Sequence, residues 1–168
     1  MEFYDVVRQR RSIRSYRPDP VPEESLKRIA EAVLCAPTAC NRQPFRLILI
    51  KNPEKRLAVG ASYKAAWLSE APITAVMVGR ESEAWKRPEG DSIVNVDAAI
   101  AMEHFVLAAA AEGLGTCWIC AYNRAHVDRV LGLPAGESSV ALSPLGFAAD
   151  GPRPFTRKPL NQIFEVIE

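Results

Sequence analysis

Apolar positions recur along this chain at two spacings, and one long stretch follows neither. Leu26, Ile29, Ala30, Val33 and Leu34 repeat every three to four residues and predict a helix, opened by Pro22-Glu23-Glu24, whose proline and acids suit a first turn. Phe3, Val6 and Val7 predict a shorter helix over Glu2 to Arg10, and Tyr63 to Glu70 reads as another, ended by Ala71-Pro72. Arg46–Ile50, Ile73–Val78, Thr116–Ile119 and Val140–Phe147 are apolar, β-branched runs that predict strands, and Ile163–Glu168 alternates loosely enough for a fifth. Asn52 and Asn123 are N-cap signals for helices beginning at Pro53 and Arg124, the second closed by Gly132. Helices and strands do not alternate regularly, which predicts an α+β domain in place of a doubly wound one.

The exceptional stretch is Val94 to Ala111. It is small and apolar almost throughout, its only charges are Asp97 and Glu103, and it has no polar face. Such a helix belongs inside a large core or against a second subunit. Asp97, Glu103 and His104 interrupt it, and it is short for a membrane span. Gly113-Leu114-Gly115 follows, where glycine supplies a left-handed cap.

Composition narrows the picture. A chain of 168 residues, 48% hydrophobic, is expected to fold as one domain over residues 1–168. Lys and Arg number 21 against 20 acids, a net charge of +1, so no global field favours nucleic acid or membrane and any anion site must be local. The opening MEFYDVVRQRRS shows no signal-peptide pattern, and the four cysteines read as reduced thiols, which points to the cytoplasm. Pro152, Pro154 and Pro159 mark an extended tail.

Four arginines and two serines fall within Arg10–Arg17. Cations at a helix C-terminus favour the dipole, but guanidinium forks and hydroxyls are also what a phosphate needs. The segment Ala36 to Phe45 is polar and proline-bracketed. It is a helix-to-strand loop that offers Thr38, Asn41 and Gln43 as neutral hydrogen-bond partners, better suited to a heterocycle or a ribityl chain than to a metal. Gly-x-Gly-x-x-Gly, Walker and Gly-x-Ser-x-Gly sequences are absent, and Gly113-Leu114-Gly115 follows a helix instead of a strand. His104 and His126 lie on separate predicted helices, which argues against a triad. Cys117-Trp118-Ile119-Cys120 has the spacing of a redox pair or half a zinc site, but on a strand-like segment its cysteines need not converge.

Five motifs occur together and in order: Arg10-Arg11-Ser12-Ile13-Arg14, Ala36–Phe45, Glu70-Ala71-Pro72, Gly113–Ile119, and Pro144–Phe147 followed by Arg157-Lys158-Pro159-Leu160. In this the chain resembles the nitroreductase family of FMN-dependent oxidoreductases. The resemblance implies an α+β fold with a mainly antiparallel central sheet flanked by helices, in an intertwined homodimer with FMN at the interface. The helix from about Ser92 to Glu112 would be the interface element, and residues 152–168 would wrap the partner and add a strand to its sheet. Arg10, Arg11 and Ser12 match positions that hold the phosphate and ribityl chain, and Arg14 one that approaches the pyrimidine edge. Pro37, Thr38, Asn41 and Gln43 match the loop that reaches the flavin of the other subunit. Arg157 and Lys158 match a basic pair near the phosphate, and Trp118, Ile119, Cys120 and Ala121 the backbone near N5. Lys64 stands where the family usually has Asn or Gln facing the flavin, and Cys120 and Ala121 where glycine or an acid is common. The brief Gly79–Gly90 excursion implies an open acceptor site.

The activity implied by the resemblance is transfer of reducing equivalents from NADH or NADPH, through flavin N5, to an electron-poor small molecule such as a nitroaromatic or quinone. No catalytic side chain and no metal are expected, because the flavin carries the chemistry. Two other readings stay open from the residues: a flavin-binding protein or specialised flavin oxidase that does not use NAD(P)H, and a zinc-binding interaction protein built on the four cysteines.

Overall fold

The computed structural model describes residues 2–151 and 153–168; Met1 and Pro152, the expected start of the tail, lie outside them. Ten regular elements follow in order: α1 (Phe3–Gln9), α2 (Glu23–Leu34), β1 (Phe45–Ile50), α3 (Pro53–Gly60), α4 (Trp67–Glu70), β2 (Ile73–Arg80), α5 (Val94–Ala111), β3 (Gly115–Thr116), α6 (Arg124–Leu131) and β4 (Glu137–Gly146). The strands form one antiparallel sheet in the order β1-β2-β4-β3. Both faces of β2 are buried, which explains its continuous apolar run where a one-sided strand would alternate.

Two apolar layers sandwich the sheet. On one face α2 and α5 pack over Ile73, Ala75, Met77, Ala141 and Leu145. On the other, α3, α4 and α6 cover Val76, Val78 and Leu142 through Val59, Leu68 and Val127. Asn52 and Asn123 cap α3 and α6 as expected, accepting the N–H groups of Lys55 at 2.8 Å and His126 at 3.0 Å. Gly132 closes α6 in the left-handed region at φ 62°, and Gly113 follows α5 at φ 74°. Glu137 ties three strands together, taking Arg46 of β1 and Arg80 of β2 on one carboxylate.

Helix α5 is more informative than a uniformly buried rod. Val94, Asp97, Ala98, Ala101, Met102, Phe105, Val106 and Ala109 make a buried face. Val96 is half exposed, and Ala99, Ile100 and Leu107 are only partly covered, so the outer face is apolar and open. The helix is long and apolar enough to cross a membrane by length and composition, a more permissive result than its charges implied. Here its inner face is sealed against α2 and the sheet.

Three expectations need correction. The segment before α4 is not helical from Tyr63: only Trp67–Glu70 is, because Ser62 turns its carbonyl to Asn123 N–H and Tyr63 stacks edge-on against Trp67 at 5.4 Å. The third strand is two residues plus an isolated bridge from Ile119 to Leu142, not a run over Thr116–Ile119. Pro144 in β4 has no N–H to donate, and Ser143 Oγ takes the Cys117 N–H at 3.1 Å in place of a backbone partner. Finally, Ile163–Glu168 is not a strand in the single chain; Leu160–Gln162 forms one 3₁₀ turn and the rest carries no regular structure.

Candidate functional site

The arginine–serine segment is stitched into the sheet's edge. Ser12 bridges Thr116 in parallel, Ile13 N–H donates to Thr116 O at 2.8 Å, and Ala149 N–H donates to Ser15 O at 3.0 Å. Tyr16 OH donates back to Ile13 O at 2.6 Å, and burial raises its pKa above the ordinary tyrosine range. The close approach depends on Gly115, where a Cβ would stand 2.8 Å from Ile13 Cγ1. Arg10 caps the C-terminus of α1, and Arg11 Nη1 donates to the carbonyls of Arg8 and Arg10. Beside them a cavity of ≈ 520 Å³ is lined by Arg8, Arg10, Arg11 and Arg157, with Phe155, Glu103 and Leu107. The N-terminal arginines and Arg157 of the tail therefore meet within one chain. Lys158 is exposed and does not line that cavity.

Arg14 points elsewhere. Its guanidinium carbon is 6.0 Å from the Trp67 ring, which stacks on Tyr63, so Arg14 and the turn carrying Lys64 share one neighbourhood. Lys64 itself is exposed. Cys117, buried beneath Arg14 and Ser12, has its thiol pKa pushed up mainly by desolvation. The pair Cys117 and Cys120 splits into a buried and an exposed thiol, as strand alternation requires.

Trp118, Ile119, Cys120 and Ala121 run along the sheet edge. Ile119 exchanges both backbone hydrogen bonds with Leu142 at 2.9 Å, which leaves the Trp118 and Cys120 N–H groups without an acceptor among the described residues. Trp118 and Cys120 also line a cavity of ≈ 480 Å³ with Asn95 and Ala99 of α5. Trp118 Nε1–H donates to Glu103 Oε2 at 2.8 Å, so one carboxylate borders both the arginine cavity and this segment.

The loop Pro37–Gln43 lies at the other end of α5. Asp97 Oδ1 accepts Ala39 N–H at 3.1 Å, Thr38 Oγ1 accepts Gln43 N–H at 3.0 Å, and Gln43 Nε2 donates to Asn41 Oδ1 at 3.0 Å. Cys40, Asn41 and Gln43 sit at φ 51–53°, left-handed without glycine, each costing about 1–2 kcal/mol. Strain of this kind persists where surroundings over-determine it, typically at ligand sites. Asp97 and Ala110, beside the arginines, are separated by thirteen residues of helix, about 20 Å along its axis. The single chain thus does not bring the loop onto Arg10 or Arg11.

Both histidines are structural. His104 Nδ1 pairs with Ala32 O at 2.9 Å and His126 Nε2 with Ala58 O at 2.8 Å. Among the described residues, no three His, Cys, Asp or Glu side chains converge to hold a metal. Sequence reasoning missed Phe155, Glu103, Trp67 and Asp97. Asp97 had a signal, a carboxylate in an apolar helix; Phe155 had a weaker one, an aromatic two residues before Arg157.

Within one chain an arginine-lined cavity lies beside an edge segment with idle N–H donors, on a helix-flanked antiparallel sheet, an arrangement fitted to a phosphorylated planar cofactor; the strained amide-rich loop stands apart, at the other end of α5. The family model described as the Nitroreductase family matches residues 7–69 and 60–147. An NADH dehydrogenase of Thermus thermophilus is 31% identical, covering 92% of this chain and 91% of its own length. An FMN reductase [NAD(P)H] of Bacillus subtilis is 29% identical over 83% of this chain and 63% of its own. A crystal structure of a nitroreductase family protein from Clostridium difficile 630 superposes with a TM-score of 0.91 at 29% identity, covering 98% of both chains. The chain belongs to the nitroreductase family and is an oxidoreductase.

Proposed function

We propose that this protein is an FMN-dependent NAD(P)H oxidoreductase acting as a homodimer in the cytoplasm on an electron-poor acceptor, a nitroaromatic, a quinone or a compound of similar chemistry. The observation that carries the reading is the meeting of Arg10 and Arg11 with Arg157, from opposite ends of the chain, around one cavity. The donor set fits FMN: guanidinium forks for a phosphate dianion, Ser12 for a ribityl hydroxyl, and idle N–H groups at Trp118 and Cys120 for a flavin edge. When bound, FMN supplies the redox chemistry at N5, and no side chain needs to act as acid or base.

The chain's own residues bind and orient. Arg10, Arg11 and Ser12 hold the phosphate end, with Arg157 from the tail and Lys158 beside it. Arg14 and Lys64 serve the pyrimidine edge, where a cation stabilises the negative charge that reduction brings. Trp118, Ile119, Cys120 and Ala121 offer backbone groups to the N5 side. Pro37, Thr38, Asn41 and Gln43 reach the second subunit's flavin. A second copy accounts for the open apolar face of α5 and for the exposed tail residues Leu160, Ile163, Phe164, Val166 and Ile167, which residues 152–168 would lay across it. In this reading residues 1–168 belong to one domain.

Arg10→Ala with Arg157→Ala tests the reading. The parent should keep a flavin absorbance band through gel filtration and the double variant should lose it; full occupancy in the variant overturns the assignment. Rapid anaerobic bleaching by NADH or NADPH separates this reading from a flavoprotein that does not use nicotinamide.

A further inference from the structure

Two cations lie over the Phe155 ring. The guanidinium carbon of Arg11 is 3.6 Å from its centroid and that of Arg157 is 4.5 Å. Those centres therefore lie within about 8 Å of each other. Arg8, which lies 3.9 Å from Asp5, and Arg10 border the same cavity, and Glu103, the acid that lines it among the described residues, already accepts the Trp118 indole N–H. Four like charges around one space repel unless something gathers them. The electron-rich face of an aromatic ring does so, and holds each guanidinium without using its N–H donors. Phe155 is 46% exposed, so it is not there to fill the core.

We infer that Phe155 is a positioning residue: it clamps Arg11 and Arg157 into one preorganised site for a phosphate dianion and, through that clamp, makes docking of the C-terminal tail depend on the anion. The ring touches the cation faces; Arg11 Nη1 serves the carbonyls of Arg8 and Arg10, and Arg157 Nη1 that of Thr156, so the Nε and Nη2 donors of both are the ones left to the ligand. A phosphate that bridges Arg11 and Arg157 in turn pins the tail to the end of α1. This rests on the FMN reading for the identity of the ligand, but not for the existence of the anion site.

The test compares FMN with riboflavin, which lacks the phosphate, on the full chain. Phe155→Ala should weaken FMN about tenfold, two modest cation–π contacts' worth, and leave riboflavin affinity unchanged. Phe155→Trp should stay within about twofold of the parent for both. An unchanged FMN-to-riboflavin ratio in Phe155→Ala, or an equal loss for both flavins, overturns the clamp. Inorganic phosphate supplies the independent arm: it should raise the Tm of the parent and not of Phe155→Ala. If the parent binds neither flavin but shows this phosphate response, the clamp stands and the FMN reading falls. If phosphate raises both Tm values equally, the clamp falls. Limited proteolysis within residues 153–168 should slow on adding phosphate in the parent alone.

Discussion

The Asp97 carboxylate reaches across 58 positions of sequence to accept the Ala39 N–H at 3.1 Å, which fixes the strained loop to the first turn of α5. Asp97 is 2% exposed and its second oxygen, Oδ2, has no hydrogen-bond partner among the described residues. Asp97→Ala should cost about 2 kcal/mol, the range for losing a part-buried hydrogen bond to a carboxylate. Asp97→Asn keeps an acceptor for Ala39 and should recover at least half of that loss in urea denaturation. If Ala and Asn behave alike, the hydrogen bond is not what holds the loop.

Gly115 carries a second prediction. A methyl group there collides with Ile13, so Gly115→Ala should destabilise by about 1–3 kcal/mol through overpacking. Pairing it with Ile13→Ala frees the space. The double-mutant cycle should then show a favourable coupling, because the two side chains compete for one volume. Additive losses would count against the close approach.

Acid should unfold the protein partly through Glu112. Arg28 grips its carboxylate with two hydrogen bonds, at 2.7 and 2.6 Å, and lowers its pKa from 4.5 to about 2. A depressed carboxylate adds stability that is complete above pH 4.5 and lost as pH falls towards 2. Arg28→Ala should flatten the fall of Tm with pH across that window. The pair is exposed on the Arg28 side, so high salt should shrink the difference.

The outer face of α5 predicts assembly. Val96 is 50% exposed and lies apart from the arginine cavity. Val96→Glu should shift the sedimentation of the protein from dimer to monomer while leaving the far-ultraviolet spectrum unchanged. A variant that remains dimeric would remove α5 from the proposed interface.

Much of this was legible where one local signal dominates. Asn52 and Asn123 capped their helices because a side-chain acceptor and the N–H groups it serves lie within three residues. The α2 stripe was readable because helical burial follows a fixed period, and the β1 and β2 runs because they are short, β-branched and apolar without needing one. The sequence misled where a distant partner decides the outcome. Ser143 and Pro144 shorten the third strand from across the sheet, and Asn123 claims the Ser62 carbonyl that a longer helix at Tyr63 would have used. The arginines at Arg10 and Arg11 were visible as a cluster, and Arg157 joined them only through resemblance. Phe155, which touches two of them, had no pattern of its own. The left-handed backbone of Cys40, Asn41 and Gln43 was invisible because none is glycine.

Helix α5 has a consequence for how this protein can change over time. Its inner positions are fixed by the core, and in the proposed dimer its outer ones would be fixed by the second copy laid over Val96, Ile100 and Leu107. Glu103 is tied to Trp118, and Asp97 to the loop. A helix on the rim of a domain normally has a solvent face on which substitutions accumulate at little cost. In the proposed dimer this one has almost none, so a saturation mutagenesis map should show an unbroken intolerant block from Val94 to Ala109, in contrast to the exposed, permissive residues Lys86–Glu89.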